Sequence, residues 1–171
     1  MDQLTFNIPG VWVQQIEGFN DARGTFSPVI TSETNFAVKE TYISNTYEGY
    51  LRGLHFQKPP YPQNKIVCCI DGLIEDIVVD LRKSSPTYGE IMTFFMEGKC
   101  PHIAHIPAGC AHGYYAYQDS MIIYFMDEEF HPEFYGGIKW DSCLLSLPSG
   151  VKTSLKDSNL PKFCDFETPF I

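Results

Sequence analysis

Positive charge is scarce in this sequence: 12 lysines and arginines stand against 21 aspartates and glutamates, for a formal net charge of -9. Sequence-independent binding to nucleic acid depends on many such cations neutralising phosphates, so that class of function is excluded. No apolar run approaches the length of a membrane span. The start, MDQLTFNIPG, lacks the basic residues and apolar stretch of a signal peptide, which makes the cytoplasm the expected compartment. Repeats, linkers and low-complexity tracts are also missing, so a single domain over residues 1–171 is expected. The six cysteines are even in number, but in that compartment reduced thiols are the expected state. Cys68 and Cys69 are neighbours in a strand-like run, where successive side chains point to opposite faces, so a bridge between them is not expected.

Sustained helical periodicity is scarce as well, with only Val151–Asp157 and the segment near Phe36 as candidate short helices. The 15% aromatic content favours sheets and pocket walls. In KIVCCIDGLIEDIVVDLRK, two β-branched runs flank Asp71-Gly72, a dipeptide suited to a tight hairpin turn. Further strand-like runs occur at Gly10–Glu17, Phe26–Thr31, Glu90–Met96, His102–Ile106, Gly113–Tyr117 and Met121–Met126, separated by turn residues. Short strands at such spacing predict an all-β sandwich or barrel. In KPPYPQ, Pro59, Pro60 and Pro62 remove ladder donors, so an extended loop is expected there, beside the strand that carries His55.

Few positions remain for chemistry. A histidine-held metal would need two inward histidines at alternate strand positions, but the residue two after His55 is Gln57, and His102 and His105 lie three apart. No metal site is expected. His55 lies in LRGLHFQ, with Arg52 three residues before it and Lys65 ten after it. Spacing alone leaves two readings open: a hydrogen-bonded core histidine with two solvated cations, or three groups converging on one cavity.

The chain resembles the dTDP-4-dehydrorhamnose 3,5-epimerase family in DARGTF (Asp21–Phe26), LRGLHFQ (Leu51–Gln57), PQNK (Pro62–Lys65), VVDLRKSSPTYG (Val78–Gly89), IPAGCAHGY (Ile106–Tyr114), IKWD (Ile138–Asp141) and SLKD (Ser154–Asp157). The resemblance implies a double-stranded β-helix jelly roll, a cupin-like barrel with short peripheral helices. It also implies a homodimer with exchanged strands, and no metal or organic cofactor. The implied activity inverts carbon 3, carbon 5 or both in a nucleotide-linked 4-keto sugar. By the same resemblance His55 is the general base, Asp157 its carboxylate partner, Lys65 the cation beside the carbonyl and Tyr124 the acid on the opposite face. Arg52 matches a diphosphate contact, and Arg23 and Phe26 match nucleotide contacts reaching in from the partner subunit. Gln63 and His112 match further substrate-side positions.

The residue types suit such chemistry. Proton abstraction α to a ketone needs a base that titrates near neutrality and a cation where the enolate charge develops. Inversion needs a second donor across the ring, and a tyrosine with its ordinary pKa of about 10 stays protonated for that task.

The sequence departs from the family pattern at four places. Phe130 stands where a second tyrosine is usual, which makes a single-centre epimerase an alternative outcome. Glu40, Tyr42 and Pro28 replace residues that help to hold thymine. A carboxylate at Glu40 can accept from guanine, cytosine or thymine donors, so GDP- and CDP-linked sugars are expected alongside dTDP-linked ones. A 3,4-ketoisomerase and a non-catalytic sugar-binding barrel are the competing readings.

Overall fold

A computed structural model describes residues 3–99 and 102–171, and in it two β-sheets face one another. The first holds β1 (Gln3–Thr5), β2 (Trp12–Gln15), β5 (Glu40–Thr46), β7 (Lys65–Asp71), β10 (His102–Ile106) and β12 (Ser120–Met126), in the order β1-β2-β10-β7-β12-β5. The second holds β6 (Leu51–Gln57), β8 (Leu73–Asp80), β9 (Ile91–Glu97), β11 (Cys110–Ala116) and β13 (Tyr135–Gly137), in the order β13-β6-β11-β8-β9. A separate hairpin pairs β3 (Phe19–Asp21) with β4 (Gly24–Phe26). From β5 to β8 and from β9 to β13 the chain changes sheet at each successive strand, the winding expected of a jelly roll. Among the described residues helix is confined to the short α1 (Leu155–Ser158) and a few 3-10 turns, and no helix is long and apolar enough to cross a membrane.

Strand periodicity explains how the layers pack. Alternate residues Val67 and Cys69 of β7 point between the sheets and meet Ile74, Val78 and Tyr114 from the opposite sheet. Their neighbours Ile66 and Cys68 face outward, under Trp12, Ile30 and Phe36. Cys68 and Cys69 thus lie on opposite faces, as their adjacency predicts. A third cluster covers the back of the second sheet, where Leu54, Phe56, Ile77 and Val79 pack against Ile138 and Phe170 from the C-terminal segment. Strands β7, β8 and β11 are covered on both faces, which accounts for their nearly continuous burial, the carboxylates Glu75, Asp76 and Asp80 of β8 included.

The Asp71-Gly72 turn corrects the expected hairpin. Both flanking strands form, but β7 pairs with β10 and β12 whereas β8 pairs with β9 and β11. Gly72, at φ +85°, turns the chain from one sheet into the other, and a Cβ there would lie 2.8 Å from the Cα of Ser120. The strand expected over Phe26–Thr31 stops at Phe26, because Pro28 cannot donate to a ladder. The other expected strands form within a few residues of their sequence limits, and the proline-rich segment is a loop between β6 and β7. The helix expected over Val151–Asp157 is the single turn of α1, and the segment near Phe36 contributes a 3-10 turn over Ser32–Thr34.

Candidate active site

At one end of the two sheets a cavity of ≈ 350 Å³ opens between them. Tyr42, Ser44, Lys65, Tyr124 and Met126 line it from the first sheet, and Arg52, His55, His112 and Tyr135 from the second. Gln63 and Phe130 line it from loops. Arg52 and His55 are three residues apart, so in an unbroken strand they would face opposite sides. The β6–β11 ladder resolves this. His55 pairs with His112 and Arg52 with Tyr114, so β6 carries one residue more than β11 across that interval, and the bulge brings both side chains to the cavity. Gly53 makes the bulge possible: its φ is +131°, and a Cβ on it would lie 2.7 Å from the Cα of Gly113.

His55 is paired with a carboxylate far away in sequence. Its Nε2 lies 2.7 Å from Asp157 Oδ1, and Asp157 Oδ2 accepts from the Gly53 N–H at 3.4 Å. Asp157 stands in the only turn of α1, where its own N–H donates to the capping Ser154 hydroxyl at 3.1 Å. Burial drives the His55 pKa below the ordinary imidazole value; Asp157 opposes the shift, while Lys65 and Lys156 add to it. For Asp157, burial works upward, but the hydrogen bond from His55 and further donors prevail and hold the carboxyl below its ordinary value.

Lys65 is 7% exposed and its Nζ donates to the His55 carbonyl at 3.2 Å. Burial lowers its pKa from 10.5 to about 8, against the attraction of Asp76. Beneath it a second pair forms, with His112 Nε2 2.7 Å from Asp76 Oδ1; both residues are buried, and Asp76 Oδ2 has no hydrogen-bond partner. Tyr124 sits edge-on to His112, with ring centroids 6.2 Å apart. Its phenol is raised well above the ordinary value by burial and by neighbouring Tyr114 and Asp76, so it stays protonated at neutral pH. Arg52 is held by Thr46 Oγ1 at 2.7 Å and the Asn45 carbonyl at 3.0 Å.

The remaining predicted positions lie at the edge of the cavity or outside it. Gln63 Nε2 donates to the Glu128 carbonyl at 2.9 Å, which fixes the loop edge of the cavity. Glu40 does not line the cavity; its Oε2 accepts from the Tyr42 hydroxyl and the Phe130 N–H, which leaves Tyr42 as the lining residue. Arg23 and Phe26 lie on the β3–β4 hairpin, outside this cavity, with Phe26 77% exposed and Arg23 paired to Asp21. Asp76 and Tyr135 escaped the sequence reading. Adjacent carboxylates at Glu75 and Asp76 inside the strand-like run of β8 are a legible signal for Asp76, whereas nothing in the spacing singles out Tyr135. Among the described residues no cluster of three or more His, Cys, Asp or Glu side chains could hold a metal ion.

A family profile described as dTDP-4-dehydrorhamnose 3,5-epimerase matches residues 5–165. The chain belongs to this family of isomerases. A dTDP-4-dehydrorhamnose 3,5-epimerase from Methanothermobacter thermautotrophicus is 39% identical over 142 residues, spanning 79% of this chain and 76% of that protein. The crystal structure of dTDP-4-dehydrorhamnose 3,5-epimerase from Sulfolobus tokodaii superposes with a TM-score of 0.93 at 32% identity, covering 99% of this chain and 98% of that one. A structure of the same enzyme from Bacillus anthracis, with TDP and PPi bound, has a TM-score of 0.87 at 28% identity over 95% of this chain and 99% of that one. The jelly-roll reading of the fold agrees with these neighbours.

Proposed function

We propose that this chain is an epimerase of a nucleotide-diphosphate-linked 4-keto-6-deoxy sugar, with His55 as base and Tyr124 as acid. The observation that carries the reading is the convergence of the His55–Asp157 pair, Lys65 and Tyr124 on one cavity in a member of this family. His55 takes the proton from a carbon next to the keto group, and the C–H electrons pass to the carbonyl oxygen as an enolate. Lys65 is the cation available to that oxygen. Asp157 holds the imidazole in place and balances its charge once protonated. Tyr124, lining the cavity from the opposite sheet, returns a proton to the other face of the carbon. Exchange with solvent resets both groups.

Phe130 lacks a hydroxyl, which favours inversion of one centre as a second outcome. dTDP is the first nucleotide expected, given the names of the relatives and the TDP in the Bacillus anthracis structure. GDP and CDP are weaker candidates, since one oxygen of Glu40 is already engaged within the chain. The exposed β3–β4 hairpin, carrying Phe19 and Phe26, supports a homodimer in which it reaches a neighbouring site. The expected setting is cytoplasmic deoxysugar synthesis for surface polysaccharide.

The test is NMR of the sugar ring protons in deuterium oxide with 4-keto nucleotide sugars. Exchange at carbon 3, carbon 5 or both, lost in His55→Asn, is the expected result. No exchange with any dTDP, GDP or CDP sugar would overturn the epimerase reading and leave a binding barrel; migration of the carbonyl would identify a ketoisomerase.

A further inference from the structure

Tyr135 is placed beside the proposed base by the sheet itself. Strand β13 pairs with β6 so that Gly137 stands opposite His55 and Tyr135 opposite Gln57. Gly137 has no side chain to offer, and a Cβ there would lie 2.5 Å from the Leu54 carbonyl oxygen. The next residue on the same face, Tyr135, therefore leans diagonally over the imidazole, with ring centroids 5.1 Å apart at 45°. Its ring is fixed from two further directions. The Lys156 ammonium lies 3.9 Å from the ring centroid, and Phe130 meets it edge-on at 5.6 Å.

So firmly held a ring presents a hydroxyl with no use inside the chain. Three other tyrosines bond to neighbours: Tyr114 to Thr46 at 2.6 Å and Ser44 at 3.0 Å, Tyr117 to Glu75 at 2.9 Å, and Tyr42 to Glu40. The Tyr135 hydroxyl has no hydrogen-bond partner among the described residues, although the residue lines the cavity and is only partly exposed. Half-buried phenols generally find a partner, and packing alone would be served as well by phenylalanine. Burial, with the Asp157 charge, raises the phenol pKa, so the group is a donor at neutral pH. Phe130, the aromatic next to it, supplies no hydroxyl to this wall.

We propose that Tyr135 is a substrate-contacting residue whose hydroxyl bonds to a hydroxyl on the sugar ring, beside the carbon that His55 deprotonates, and so sets which substituted sugars are accepted. This rests on the epimerase reading above. The contact lies on the His55 wall, across the cavity from Tyr124, so it serves recognition rather than delivery of the inverting proton.

Tyr135→Phe keeps the ring and its stack on His55, so the fold and the base should be preserved. The measurement is the deuterium-exchange rate of the full chain with a dTDP-linked 4-keto-6-deoxyhexose and with its 2-deoxy and 3-deoxy counterparts, together with a melt and an NMR titration of the His55 imidazole. The variant should lose about tenfold or more in kcat/KM on the fully hydroxylated sugar. It should match the wild type on the deoxy sugar that lacks the contacted oxygen, with melting temperature and His55 titration unchanged. Wild-type exchange with an equally active Tyr135→Phe would overturn this inference alone. So would an equal loss on all three sugars, or a displaced His55 titration, since either places the effect elsewhere than at a ring hydroxyl. A wild type that exchanges nothing overturns both this inference and the epimerase reading.

Discussion

Lys65→Met should make the protein more stable while removing its activity. The folded chain holds the Lys65 ammonium less well than water does, lowering its pKa from 10.5 to about 8. At neutral pH that difference is a folding cost of about 3 kcal/mol. Methionine fills similar space without a charge, and the loss of the Nζ bond to the His55 carbonyl offsets about 1 kcal/mol. The expected gain is about 2 kcal/mol, or roughly 4–8 °C in melting temperature for a chain of this size. The pH dependence follows from the sign of the shift. Below pH 8 the amine is charged in both the folded and unfolded states, so the wild type carries the full cost. Between about 8 and 10.5 the folded state releases its proton first, so wild-type stability rises with pH and the advantage of the variant shrinks. Urea unfolding of both proteins at pH 7, 8.5 and 10 measures this directly. A Lys65→Met protein less stable than wild type at pH 7, or a difference that stays flat up to pH 10, would refute the reasoning.

Two further predictions concern His55, the proposed base, and its strand. The acid limb of kcat/KM should fall below the ordinary imidazole value of 6.5, because burial depresses His55 more than Asp157 raises it. By the same sign, the contribution of His55 to stability is intact above about pH 6.5 and declines as pH falls toward the folded value. A limb at or above pH 7 in a pH–rate profile would contradict the burial account. Gly53→Ala should cost at least about 3 kcal/mol, since it combines a φ of +131° with a Cβ 2.7 Å from the backbone of Gly113. Denaturant melts should show it unfolded or severely weakened, and a near-native melt would mean that the β6–β11 bulge is dispensable.

How much of this was legible in the sequence depended on the range over which the governing physics acts. Strands announce themselves through alternation within a few residues, so β7, β8, β10 and β12 could be read from their apolar and β-branched runs. Pairing is decided elsewhere. Asp71-Gly72 permits a positive φ, and that freedom serves a two-strand hairpin or a corner between sheets equally well; the covering of β7 and β8 on both faces selects the corner. The His55–Asp157 pair spans 102 residues, and only the family resemblance joined its members before the fold did.

Residue spacing is least informative at the cavity, where it left two readings of Arg52, His55 and Lys65 open. Three positions apart, Arg52 and His55 should point away from each other, and they share a cavity because Gly53 and Gly113 let one extra residue into the strand. That departure from regular alternation carries no signature beyond two glycines in separate segments. Tyr135 is invisible for a related reason, since its place beside His55 follows from Gly137 being opposite that histidine, a register that no local pattern encodes. The buried charges at this end of the molecule work against stability. An apolar core would be cheaper than Lys65, Asp76 and His112 packed together with one carboxylate oxygen unpartnered, a cost that accords with the epimerase chemistry proposed for the cavity they surround.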